Sequence, residues 1–76
     1  MSKFEIKKGD TLKRSMETGG LYVIEILGDL VFVYDYIDIS SIDFDLTYTN
    51  RIEIMHMSAL LRMVRSGILD SPTPLY

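Results

Sequence analysis

Apolar and polar residues alternate in short runs along most of this chain, and the period is that of strands. Leu21–Leu27 and Leu30–Tyr36 are rich in β-branched and aromatic residues and are separated only by Gly28-Asp29. A two-residue Gly-Asp connection between such runs predicts a β-hairpin with a type II′ or I′ turn, because glycine accepts a positive φ. The turn also predicts the register. Leu27 pairs with Leu30, Ile26 with Val31, Glu25 with Phe32, Ile24 with Val33, Val23 with Tyr34, and Tyr22 with Asp35. One face then carries Ile24, Ile26, Val31 and Val33, and the other carries Leu21, Val23, Glu25, Phe32, Tyr34 and Tyr36. Both faces are largely apolar, so the hairpin is covered on both sides, curls into a barrel, or meets another chain.

Weaker alternation flanks the hairpin. Phe4 and Ile6 alternate with Lys3, Glu5 and Lys7 as a short strand, Gly9-Asp10 interrupts, and Thr11–Arg14 resumes extended. Thr18-Gly19-Gly20 marks another turn. In residues 37–46, Ile37, Ile39, Ile42, Phe44 and Leu46 alternate with Asp38, Asp43 and Asp45, and Ser40-Ser41 breaks the phase. A tight hairpin there would set Asp38 opposite Asp43, which like charges disfavour, so a bend, bulge or short helical turn is expected. Thr47–Thr49 and Ile52–Met55 read as further strands joined at Asn50-Arg51. The period then changes. Ser58 reads as a helix N-cap, Leu60, Leu61, Met63 and Val64 form an apolar stripe, and Gly67 is the expected C′ stop with Ile68 after it. A helix over about 58–66 follows, too short to be stable undocked. Residues 70–76, with two prolines, read as a loose tail. The expected fold is mainly β, a small SH3-like β-barrel or curled antiparallel sheet with one short C-terminal α-helix, as a single domain over residues 1–69.

Part of that expectation rests on a resemblance. The runs KKGDTLKR, GGLYVIEILGDLVFVYDY and RIEIMHMSALLRMVRSG resemble the small SH3-like barrels of short phage and prophage proteins. In those, a Gly-Asp precedes an early strand, a long hairpin forms the barrel wall and a short helix near the end covers an opening. The resemblance spans residues 7–67 and implies an interaction or nucleic-acid module rather than an enzyme.

Composition narrows the functions. Seventy-six residues make one small domain whose core is thin. No cysteine is present, so thiol catalysis, disulfides and thiolate metal sites are excluded. The opening MSKFEIKK lacks an apolar signal core, and the longest apolar run, Leu30–Tyr34, is far below a span of about 20 residues. A cytoplasmic protein without a membrane partner is expected. His56 is the lone histidine, flanked by methionines, and reads as a strand-end residue rather than a general base. No catalytic residue, metal ligand or cofactor site is assigned. Asp35–Asp45 does not follow the calcium-loop pattern, and Gly19-Gly20 lacks the residues of a phosphate-binding loop.

Charge divides the chain. Between Ser15 and Asn50 there are seven acids and neither Lys nor Arg, and the net charge is −3. Asp35, Asp38, Asp43 and Asp45, with Phe32, Tyr34 and Tyr36 as apolar anchors, form the candidate partner-binding set. Regularly spaced carboxylates can imitate a phosphate backbone, and aromatic residues are frequent interface hot spots. The function expected is a non-catalytic protein-binding module, an accessory protein of phage type that binds a host nucleic-acid-handling protein. The alternative is nucleic-acid binding by Lys7, Lys8, Lys13, Arg14, Arg62 and Arg65, should the helix lie beside the first strands. A third reading is a structural homo-oligomer joined through Phe32, Tyr34 and Tyr36.

Overall fold

The computed structural model describes residues 5–37 and 52–75. The expected strand at Thr47–Thr49, the turn at Asn50-Arg51 and the candidates Asp38, Asp43 and Asp45 lie outside them. Among the described residues the strands are β1 (Asp10–Lys13), β2 (Gly20–Leu27), β3 (Leu30–Tyr36), β4 (Ile52–His56) and β5 (Thr73–Pro74), with the helix α1 (Met57–Arg65) between β4 and β5. They form one curled antiparallel sheet in the order β4-β3-β2-β1-β5. The fold is mainly β with one short helix, as the alternation predicts.

The hairpin turn lies where expected, with Gly28 at φ 62°. Leu27↔Leu30, Ile26↔Val31 and Glu25↔Phe32 pair as read from the sequence. A β-bulge between Val23 and Glu25 then moves the register by one, giving Val23↔Val33, Tyr22↔Tyr34, Leu21↔Asp35 and Gly20↔Tyr36. Backbone groups on either side of the extra residue, Ile24, find partners elsewhere. The Val23 carbonyl accepts the Gly9 N–H at 2.9 Å, and the Ile26 N–H donates to the Glu25 carboxylate at 3.0 Å. The bulge corrects the expected division of faces. Leu21 and Val23 join Ile26, Val31 and Val33, while Tyr22 moves to the aromatic side, because directly paired residues share a face.

That shift gives the sheet one complete core face. Leu12, Leu21, Val23, Val31, Val33, Leu60 and Leu69 are buried together with Ile6. Residues Glu5–Lys7 are not a strand, contrary to the alternation, yet Ile6 still reaches the core. The turn after them is set by Gly9 at φ 91° and by the buried Asp10 carboxylate, which accepts the Lys7 N–H at 2.9 Å.

Helix α1 starts one residue earlier than expected, directly from the end of β4. Its N-cap position is His56, with no side-chain cap, so Ser58 lies inside the helix. The Met57 N–H instead donates to the Asp29 carbonyl at 2.8 Å, so the hairpin turn supplies the helix's first backbone acceptor. The C-terminus follows the sequence reading. Gly67 adopts φ 84°, Ile68 N–H donates to Met63 O and Gly67 N–H to Val64 O, the two bonds of a Schellman turn. Met57, Leu60, Leu61 and Val64 face the sheet with the spacing of one helical face.

Residues 70–75, expected as a loose tail, run antiparallel along β1. Asp70 N–H donates to Lys13 O at 2.7 Å, Thr73 pairs with Thr11, and Leu75 N–H donates to Gly9 O at 3.1 Å. Leu69 bridges Arg14. A proline at position 74 is compatible with this short strand, which pairs only with β1 among the described residues.

Candidate interaction face

The second face of the sheet is built by the register just given. Row by row it holds Leu27–Leu30–His56, Glu25–Phe32–Ile54, Thr11–Tyr22–Tyr34–Ile52 and Lys13–Gly20–Tyr36. Burial divides these rows. Tyr34 and Tyr36 are buried. Leu27 and Ile54 are each 59% exposed, Leu30 39% and Ile52 38%, around a half-buried Phe32. Four branched aliphatic side chains are thus held in solvent on adjoining strands, on regular backbone, at the hairpin end of the face. Exposed apolar residues scattered singly are ordinary; these four lie beside one another in the register.

The proposed partner-binding residues do not all share this face. Phe32, Tyr34 and Tyr36 do. Asp35 alternates to the core side, pairs with Leu21, and forms an ion pair with Arg14 at 3.0 Å in which both side chains are about two-thirds buried. Tyr34 and Tyr36 have little surface left for a partner. Tyr36 is placed over Gly20. A Cβ at Gly20 would stand 2.8 Å from the Tyr36 phenol oxygen, so only glycine lets that side chain lie across the strand. The Thr11 hydroxyl donates to Thr73 O at 3.0 Å.

Burial pushes the Tyr36 phenol above its ordinary value, and the nearby Arg14 charge only partly offsets it. The folded state therefore keeps this proton at pH values where the unfolded chain has lost it. Its stabilising share is complete below about pH 10 and is lost as pH rises through the higher folded-state value. We expect urea unfolding to show stability falling above about pH 10, with a smaller fall in Tyr36→Phe. An unchanged slope in the variant would place the alkaline sensitivity elsewhere.

The basic candidates are divided as well. Lys7 and Lys8 lie in the turn before β1, and Lys8 pairs with Glu25 at 3.1 Å, whose carboxyl is held below its ordinary value by the Ile26 N–H and by Lys8. Lys13 and Arg14 lie at the opposite end of β1, where Ser15 N–H donates to Ile68 O, next to the last turn of α1 with Arg62 and Arg65. Helix α1 packs chiefly against β4 rather than β1, and the six bases form two groups rather than one track. Among the described residues no three His, Asp or Glu side chains converge as metal ligands, and no helix there is long and apolar enough to cross a membrane.

The aliphatic residues Leu27, Leu30, Ile52 and Ile54 are absent from the set chosen by sequence. Leu27 and Leu30 read as strand ends, and the placement of Ile52 and Ile54 beside Phe32 depends on β4 pairing with β3. Alternation around Glu53 was the available signal. Compared with protein-family models, curated proteins and solved structures, the chain matches none of them.

Proposed function

We propose that this protein is a non-catalytic protein-binding module. The observation that carries the reading is the solvent-held group Leu27, Leu30, Ile52 and Ile54 around Phe32 on one sheet face. Burying such side chains is worth about 25 cal/mol per Å² of apolar surface. The base-free acidic stretch of the sequence adds a preference for a basic partner, since complementary charge speeds association. A nucleic-acid-handling protein has that character. The resemblance to small SH3-like phage barrels belongs to the same reading. It is supported by Gly9-Asp10 opening β1, by the long β2–β3 hairpin, and by a short helix packed on the core near the end. The accessory role that resemblance implies, modulation of a host protein, is part of the proposal.

Affinity capture from bacterial lysate, with and without nuclease, tests it. One near-stoichiometric basic protein should survive nuclease with the natural chain. A Leu27→Ser, Ile54→Ser variant should lose it, by about thirtyfold in affinity if these two side chains together contribute about 2 kcal/mol. Both positions are well exposed, so the variant should melt close to the natural protein. Retained capture by the variant, or recovery of nucleic acid alone, contradicts the proposal.

A further inference from the structure

The exposed aliphatic face ends on a titratable residue. His56 closes the row Leu27–Leu30–His56 and stands directly opposite Leu30 across β3 and β4. Its side chain is exposed, as are those of Leu27 and Leu30. Side chains paired in this way have Cβ atoms about 5 Å apart. The next row sets Phe32 and Ile54 beside them. A partner that covers Leu30 and Ile54 therefore takes water from His56 as well.

Backbone contacts hold the imidazole at this place. His56 is extended, with φ −76° and ψ 141°, and the N–H that follows it, that of Met57, donates to Asp29 O at 2.8 Å. The end of β4 is thus tied to the hairpin turn. His56 occupies the N-cap position of α1, yet its side chain makes no capping hydrogen bond. The imidazole is free to serve the face rather than the helix.

Few charges surround it. On β4, Glu53 alternates to the opposite face of the sheet. On β2, Glu25 lies one row along and is bound by Lys8. The hairpin turn contributes Asp29. Helix α1 has no acid in its first turn, and its bases Arg62 and Arg65 are in its last. The ion pairs Lys8–Glu25 and Arg14–Asp35 do not involve His56. The Glu25 carboxyl is held below its ordinary value by the Ile26 N–H and by Lys8, so its charge is constant where imidazoles titrate. His56 is then the residue of this face whose charge changes between about pH 5 and 8. A neutral imidazole can be covered by apolar surface at modest cost. An imidazolium cannot, unless a carboxylate comes with it, and a basic partner repels it.

We infer, resting on the reading of this face as the partner-binding surface, that protonation of His56 from solvent releases the partner, and that the complex forms with the neutral imidazole. Affinity is complete above the range in which imidazole titrates and is lost as pH falls through it.

Retention on butyl-agarose in one salt gradient, at about pH 7.5 and about pH 5.5, tests this with a plain aliphatic probe. The natural chain should be held less strongly at the lower pH. His56→Gln, uncharged throughout, should elute alike at both, and His56→Lys should elute early at both. The partner recovered by capture should bind the natural chain about tenfold more weakly at about pH 5.5, where about nine in ten ordinary imidazoles are charged. His56→Gln should show no such loss. Thermal melts at both pH values confirm that each chain is folded, as expected for a side chain without a capping bond. Equal retention or equal affinity of the natural chain at the two pH values would overturn the inference. So would tighter binding at the lower pH, or a pH effect that persists in His56→Gln. Retention of Leu27→Ser, Ile54→Ser as strong as that of the natural chain at about pH 7.5 would instead overturn the reading of the face itself.

Discussion

Substituting Gly20 by alanine should cost this domain a large share of its stability. A Cβ there would overlap the Leu12 carbonyl oxygen and stand 2.8 Å from Lys13 Cα and from the Tyr36 phenol oxygen. Two of those three atoms are backbone of the paired strand, so relief requires β1 to move away from β2. Overpacking costs about 1–3 kcal/mol and occasionally more, and the rigidity of a hydrogen-bonded strand puts this site at the upper end. A domain of this size has roughly 4–11 kcal/mol in total. The expected loss is about 3 kcal/mol or more, a fall in Tm on the order of 12–24 °C. Gly28→Ala is the control. Gly28 has a positive φ but open space around it, so only the left-handed penalty of about 1–2 kcal/mol applies. Equal Tm values for the two variants would mean that the strand spacing at Gly20 is not tight.

Leu60→Ala is the second large effect. Leu60 is the one fully buried residue of α1, and it lies in the cluster with Leu12, Val23, Val31 and Val33. A nine-residue helix has no stability of its own, so docking through this side chain holds it. Truncating a buried leucine costs about 2–5 kcal/mol, depending on how far the site collapses. The change should lower the urea midpoint and shed helical circular dichroism in the same transition. Arg62→Ala, on the exposed side two residues along, should leave both nearly unchanged. Loss of helix signal before the sheet unfolds would show that α1 is not part of one cooperative unit.

Those two variants bracket what the sequence could and could not reveal. Local chemistry was legible where a residue type has only one good use. Gly28-Asp29 placed the hairpin turn and three cross-strand pairs, and Gly67 placed the helix stop, because both positions demand a positive φ. The bulge at Ile24 was not legible. Val23 and Ile24 are equally β-branched and apolar, and either could face the core. The choice is made by Gly9 reaching the Val23 carbonyl and by the Glu25 carboxylate taking the Ile26 N–H, contacts that exist only in the assembled sheet. The helix start differs from the sequence expectation for a similar reason. Ser58 is a good cap residue, but β4 runs into α1 without a loop and the Asp29 carbonyl takes the first N–H.

The candidate site was legible in part. Phe32 lies at the centre of the exposed aliphatic group. Tyr34 and Tyr36, chosen for the same reason, are buried, and Tyr36 spends its ring on Gly20. Asp35 shares their stretch of the sequence, but strand alternation turns it to the other face, where Arg14 binds it. Pairing joins a residue from each competing charge-based set, so neither set survives as a whole. The aliphatic neighbours of Phe32 come from β2, β3 and β4, and their convergence is a property of the register.

Amide hydrogen–deuterium exchange of the protein alone and bound to its captured partner tests the central claim most directly. The account predicts that binding adds protection at Leu27–Phe32 and Ile52–Ile54, with the Leu12–Leu21 core pairing unchanged. Added protection confined to Lys13–Glu17 and Ser66–Ile68, or none in the hairpin and β4, would contradict it.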